Sequence, residues 1–123
     1  MTIDREEQNG VAIATVHSDE VVLRDAQSAL DFMMTLQYET GCSRIALNKE
    51  AVIEEFFTLR TGLAGEMLQK FVNYRVKLAL YGDFSGYTSK PLRDFIEECN
   101  RGKHVFFQPT QADAVARLAA APE

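Results

Sequence analysis

The chain is short of positive charge. Its 13 Lys and Arg stand against 18 Asp and Glu, a formal net charge of -5. Neutralising nucleic-acid phosphates takes a basic surface, and docking on an anionic membrane takes basic clusters, so neither partner is expected. Long apolar runs are also missing. No stretch approaches the ~20 residues that a bilayer-spanning helix needs. Met1 to Gln8 is polar and acidic, which does not suit a signal peptide. There are 2 cysteines, Cys42 and Cys99, in a chain long enough to fold without staples. A reduced cytoplasm is the simpler reading, with one disulfide left open. No Cys/His set has metal-ligand spacing, since His17 and His104 lie far apart, and no cofactor is expected. The phosphate-loop fingerprints and the nucleophile elbow are absent.

What is present specifies a fold. With 123 residues, 46% of them hydrophobic, the chain can bury one core. It has no internal repeat and no linker, so residues 1–123 are read as one domain. Thr2 to Gln8 is a strand candidate, followed by Asn9-Gly10 and the run Val11 to His17. Asn-Gly between two extended runs signals a hairpin, because both turn positions need positive φ. In the second run Val11, Ile13, Thr15 and His17 share one face and Ala12, Ala14 and Val16 the other. Two apolar faces suit a strand covered on both sides.

A helix is expected from about Arg24 to Tyr38, with Leu23, Ala26, Leu30, Met33 and Met34 as its apolar face, Asp25 in its first turn and Gly41 as its stop. Ser43 to Asn48 reads as a strand, and Lys49 to Phe57 as a helical turn or two. A second helix starts at Thr61-Gly62 and runs to about Tyr74, followed by a strand over Val76 to Tyr81. Pro91 marks the start of a third helix that ends at Asn100-Arg101-Gly102. Val105 to Phe107 is a short strand, and Thr110 caps a last helix over Gln111 to Ala120. The order β-β-α-β-α-β-α-β-α predicts an α/β domain whose mixed five-stranded sheet has a parallel centre and an N-terminal hairpin.

Two stretches carry candidate chemistry. Thr61, next to Arg60 and Gly62, sits where a connection turns into a helix. As a switch, a phosphate there would face helix N–H groups and pair with Arg60. As plain structure, Thr61 is an N-cap, and Gly62 and Gly65 let helix and sheet approach. The second stretch, Gly82 to Lys90, follows a central strand, where open α/β sheets bind ligands. Asp83, Ser85, Tyr87, Thr88, Ser89, Lys90 and Arg93 form a dense polar set there. Its structural alternative is ordinary turn chemistry. A Ser85–His–Asp83 triad with His17 or His104 is not demanded by the spacing. Glu54-Glu55 and Glu97-Glu98 read as solvated helix faces.

The element order and the segment Phe57…Thr61-Gly62-Leu63 resemble the STAS domain of anti-sigma factor antagonists and sulfate-transporter tails. The family pattern is Phe-x-Asp-Ser-Ser/Thr-Gly-Leu, opening the helix after the third strand. The resemblance implies a STAS-like fold, a non-enzymatic regulatory role with a protein partner, and Thr61 at the phosphoacceptor position. Leu59 and Arg60 depart from the pattern at its acidic and first hydroxyl positions. Over nearly the whole chain, Thr61 to Phe71, Asn73 to Ala79, Gly82 to Ser85 and Ser89 to Ile96 resemble an uncharacterised bacterial family, domain of unknown function 4180. That resemblance implies a stand-alone bacterial protein and brings no activity. Three readings of function follow: a protein-binding regulatory module, a small-ligand binder or enzyme using the Asp83–Arg93 cluster, and a homodimer without a ligand.

Overall fold

A computed structural model describes residues 1–123. Five strands form one sheet: β1 (Thr2–Gln8), β2 (Val11–His17), β3 (Arg44–Asn48), β4 (Lys77–Tyr81) and β5 (Val105–Gln108). They lie side by side in chain order. β1 runs antiparallel to β2, and every later pair is parallel. Asn9 and Gly10 turn the hairpin with φ of 55° and 77°, as the Asn-Gly signal predicts.

Four helices cover the sheet: α1 (Ala26–Thr40), α2 (Leu63–Asn73), α3 (Lys90–Arg101) and α4 (Gln111–Ala120). Parallel neighbours joined by crossovers of one hand leave their connecting helices on a common face. Accordingly α1, α2 and α3 share a core with Ala14, Val16, Ile45, Leu47, Leu78, Leu80, Val105 and Phe107. The alternate positions Ile13, Ala46, Ala79, Tyr81 and Phe106 face α4. Small side chains at Ala46 and Ala79 leave room for a helix built on Ala114, Val115, Leu118 and Ala119. The alternation read along Val11 to His17 is the one that separates the two faces.

Two expectations for the first helix need correction. Its N-cap is Asp25, which accepts from the Ser28 amide at 2.7 Å while the Ser28 hydroxyl accepts from the Asp25 amide. This capping box starts the helix at Ala26 and leaves Leu23 outside it. Leu23 is buried instead in a parallel bridge to Val52. Met34, expected on the apolar face, is 52% exposed. Between β3 and α2 the chain makes three 3-10 turns: Lys49–Ala51 and Glu54–Phe57 within the stretch expected to turn, and Leu59–Thr61 beyond it. No helix is long and apolar enough to cross a membrane.

Candidate functional site

The carboxyl ends of β3 and β4 deliver two connections to one edge of the molecule. Asn48, the last residue of β3, is buried and holds the β2–α1 loop with two bonds to Ser18, Oδ1 accepting from the amide and Nδ2 donating to the carbonyl, each 2.8 Å. Tyr81 closes β4 by donating its hydroxyl to the Val16 carbonyl at 2.9 Å. Gly82 then turns the chain with φ 151°. A Cβ at that position would stand 2.9 Å from the Cβ of Lys49, so glycine is required both by conformation and by space.

Beyond Gly82 an aromatic cluster joins the two connections. Phe57 stacks on Tyr87 with ring centroids 4.6 Å apart, and Phe84 lies edge-on to Phe107 at 5.4 Å. Lys49 Nζ sits 5.0 Å above the Tyr87 ring, a cation–π placement. The Tyr87 hydroxyl donates to Glu54, 2.9 Å from its nearer carboxylate oxygen. Burial and the Glu54 carboxylate both hold the Tyr87 proton on, raising its pKa. Between the 3-10 turns and the 84–91 segment runs a groove of about 600 Å³. Glu54, Phe57, Arg60, Tyr87, Ser89 and Pro91 are among its lining residues.

The polar residues singled out in the sequence divide accordingly. Arg60, Tyr87 and Ser89 line the groove together, whereas Asp83, Ser85, Lys90 and Arg93 do not. Asp83 Oδ1 accepts from both the amide and the hydroxyl of Ser85, at 2.9 and 2.6 Å, which lowers the Asp83 pKa. Ser89 is the N-cap of α3, and Lys90 pairs with Asp94 at 2.6 Å. Asp83, Ser85, Ser89 and Lys90 are engaged in turn, cap and helix-surface contacts rather than converging on one point. His104 precedes β5 at the amino ends of the strands, away from Asp83 and Ser85, whereas His17 closes β2 at the carboxyl ends and lies 3.9 Å from Asp19.

Thr61 is not the N-cap of α2. Gly62 is, with φ 78° and no side chain to offer. Thr61 ends the preceding 3-10 turn and is exposed; its hydroxyl donates to the Thr58 carbonyl at 2.9 Å and accepts from the Leu63 amide at 3.2 Å. The glycine reading also changes: a Cβ at Gly62 or Gly65 would meet nothing within 4 Å, so neither marks close helix-to-sheet approach. The sequence missed Phe57 and Glu54 as groove residues. Tyr87 meets them across 30 and 33 positions of chain, and both sit on the second 3-10 turn, Glu54–Phe57.

The molecule is thus an α/β protein with four parallel strands in sequential order and an aromatic-floored groove at their carboxyl ends. It belongs to the family described as domain of unknown function (DUF4180), whose model matches residues 8–118. No curated protein and no solved structure gives a significant match.

Proposed function

We propose that the chain is a non-enzymatic, STAS-like interaction module of the bacterial cytoplasm, that it binds a protein partner along the carboxyl-end groove, and that Thr61 switches this binding as a phosphoacceptor. The observation that carries the reading is Thr61 itself. It is exposed, two residues before a helix whose N-cap supplies no side chain, with exposed Arg60 on its other side. A phosphate there gains the first-turn amides of α2 and the Arg60 guanidinium as partners. The sequential strand order after an N-terminal hairpin supports the STAS-like part.

The alternative is a small-ligand site in the same groove. Its volume of about 600 Å³ favours this, since it lies within the usual range for ligand pockets. The local bonding of Asp83, Ser85 and Lys90 weighs against their service as ligand contacts. Intact-mass analysis of protein from its native host, with and without phosphatase, tests the switch. The expected result is a phosphatase-sensitive species mapping to Thr61, and a partner whose binding changes with Thr61→Glu. An unmodified Thr61 together with unchanged partner binding by Thr61→Glu overturns it.

A further inference from the structure

The amino ends of the same strands hold a second, larger cleft, of about 760 Å³. Arg44, Arg75, Lys77 and His104 lie on its lining, beside apolar Val11 and Val72. Three of these, Arg44, Arg75 and Lys77, are cations, gathered in a chain whose net charge is -5. Glu123 is the one acidic lining residue. None of the four basic residues has a carboxylate oxygen within 4.0 Å; the ion pairs of the molecule are Arg5–Glu7, His17–Asp19 and Lys90–Asp94.

Two features of this cleft are unfavourable for the free protein. Arg44 and Lys77 open the central strands β3 and β4 and are register partners, so like charges sit side by side. Arg44 is only 9% exposed. Its Nη1 donates to the carbonyls of Leu118 and Ala121, and Lys77 Nζ donates to the Lys103 carbonyl at 2.6 Å. The Leu118 and Ala121 carbonyls, at the carboxyl end of α4, offset part of the Arg44 charge, but no carboxylate answers Arg44 or Lys77. Burial, with Arg44 next and then Lys103 and Arg117, lowers the Lys77 pKa. The second feature is backbone. α2 ends with the Arg75 amide donating to the Val72 carbonyl and the Val76 amide to the Phe71 carbonyl, a Schellman motif. Its left-handed position, normally glycine, is Arg75 at φ 58°. Strained residues of this kind collect at binding sites.

We infer that this cleft is a binding site for a small phosphate monoester carrying an apolar group. Arg75, Lys77 and Arg44 neutralise the phosphate while Val11 and Val72 contact the apolar part. Arginine and lysine suit an oxyanion of this kind. A recessed cluster in an otherwise acidic chain suits a compact anion rather than a nucleic-acid backbone. The site lies at the opposite end of the sheet from the groove and does not depend on the function proposed there.

The test is an amide NMR titration at fixed ionic strength with inorganic phosphate and with phenyl phosphate. Shifts centred on Val11, Gly41, Arg75, Lys77 and His104, with phenyl phosphate binding more tightly than phosphate, are expected. Arg75→Gly removes the guanidinium and suits the backbone, so it should melt no lower than wild type while weakening phenyl phosphate about tenfold. Lys77→Met should weaken it comparably. No saturable shifts, shifts spread over exposed Arg5, Arg93 and Arg101, or equal affinity in a folded Arg75→Gly protein overturn the inference.

Discussion

The two ends of the parallel strands are finished in different ways. At the carboxyl ends the polar groups answer one another: Asn48 with Ser18, Tyr81 with Val16, Tyr87 with Glu54, Asp83 with Ser85. At the amino ends the hydrogen bonds are made but the charges of Arg44, Arg75 and Lys77 are left without carboxylate partners. The first end is an aromatic-floored groove beside polar groups that are already paired, suited to contact by shape and patch. The second is an electrostatic imbalance that a small anion would relieve. Substitutions should therefore act oppositely at the two ends, destabilising at the carboxyl end and neutral or stabilising at the amino end.

The largest effect is expected at Phe57, which is 6% exposed and stacked on Tyr87. Phe57→Ala should destabilise by about 3–4 kcal/mol in urea unfolding. Gly82→Ala comes next, at roughly 2–3 kcal/mol, because it combines a disfavoured φ with the 2.9 Å approach to Lys49 Cβ. Tyr87→Phe removes only the bond to Glu54 and should cost about 0.5–1 kcal/mol, reduced by the solvent near it. At the other end Arg75→Gly should raise stability by about 0.5–1 kcal/mol. A loss of stability there would break the contrast.

Alkaline pH sharpens the comparison further. Tyr81 and Tyr87 have raised pKa values, chiefly through burial, and burial pushes the Cys99 thiol up to about 11 from 9.0. The folded chain therefore holds these protons more tightly than the unfolded one. The Cys99 contribution is fully present below pH 9 and is lost as pH rises through about 11, and the tyrosine contributions are fully present below pH 10 and decline above it. Urea midpoints measured across that window should fall, and Tyr87→Phe should fall less. The same burial predicts that Cys99 is slow to alkylate at pH 8, which a thiol-modification time course checks.

Much of the architecture was legible in the residues because local chemistry and tertiary structure agree. Asn9-Gly10 accepts positive φ, the alternation from Val11 to Val16 matches a sheet covered on both faces, and Thr110 caps α4 through the Asp113 amide. Periodicity alone could not locate the start of α1, since Leu23 continues the apolar spacing and only the Asp25–Ser28 box excludes it. Nor could it separate Thr61 from Gly62 as a cap, because adjacent residues compete for one role and backbone conformation decides. The amino-end cleft was the least legible feature. Arg75 and Lys77 are near neighbours, but Arg44 and His104 are far from them in sequence and reach them only through the parallel pairing of β3, β4 and β5. The available signal was a charged residue opening each of two buried strands, Arg44 and Lys77.

The central claim, that the carboxyl-end groove receives a protein partner, is tested most directly by photo-crosslinking in the native host. A benzophenone amino acid is placed at Arg60 on the groove lining and, as a control, at exposed Lys103 near the opposite end of the sheet. The account predicts a discrete heterologous protein adduct from position 60, diminished by Thr61→Glu, and none from position 103. The same adducts from both positions, or none from position 60 in cells where the protein is abundant, would contradict it.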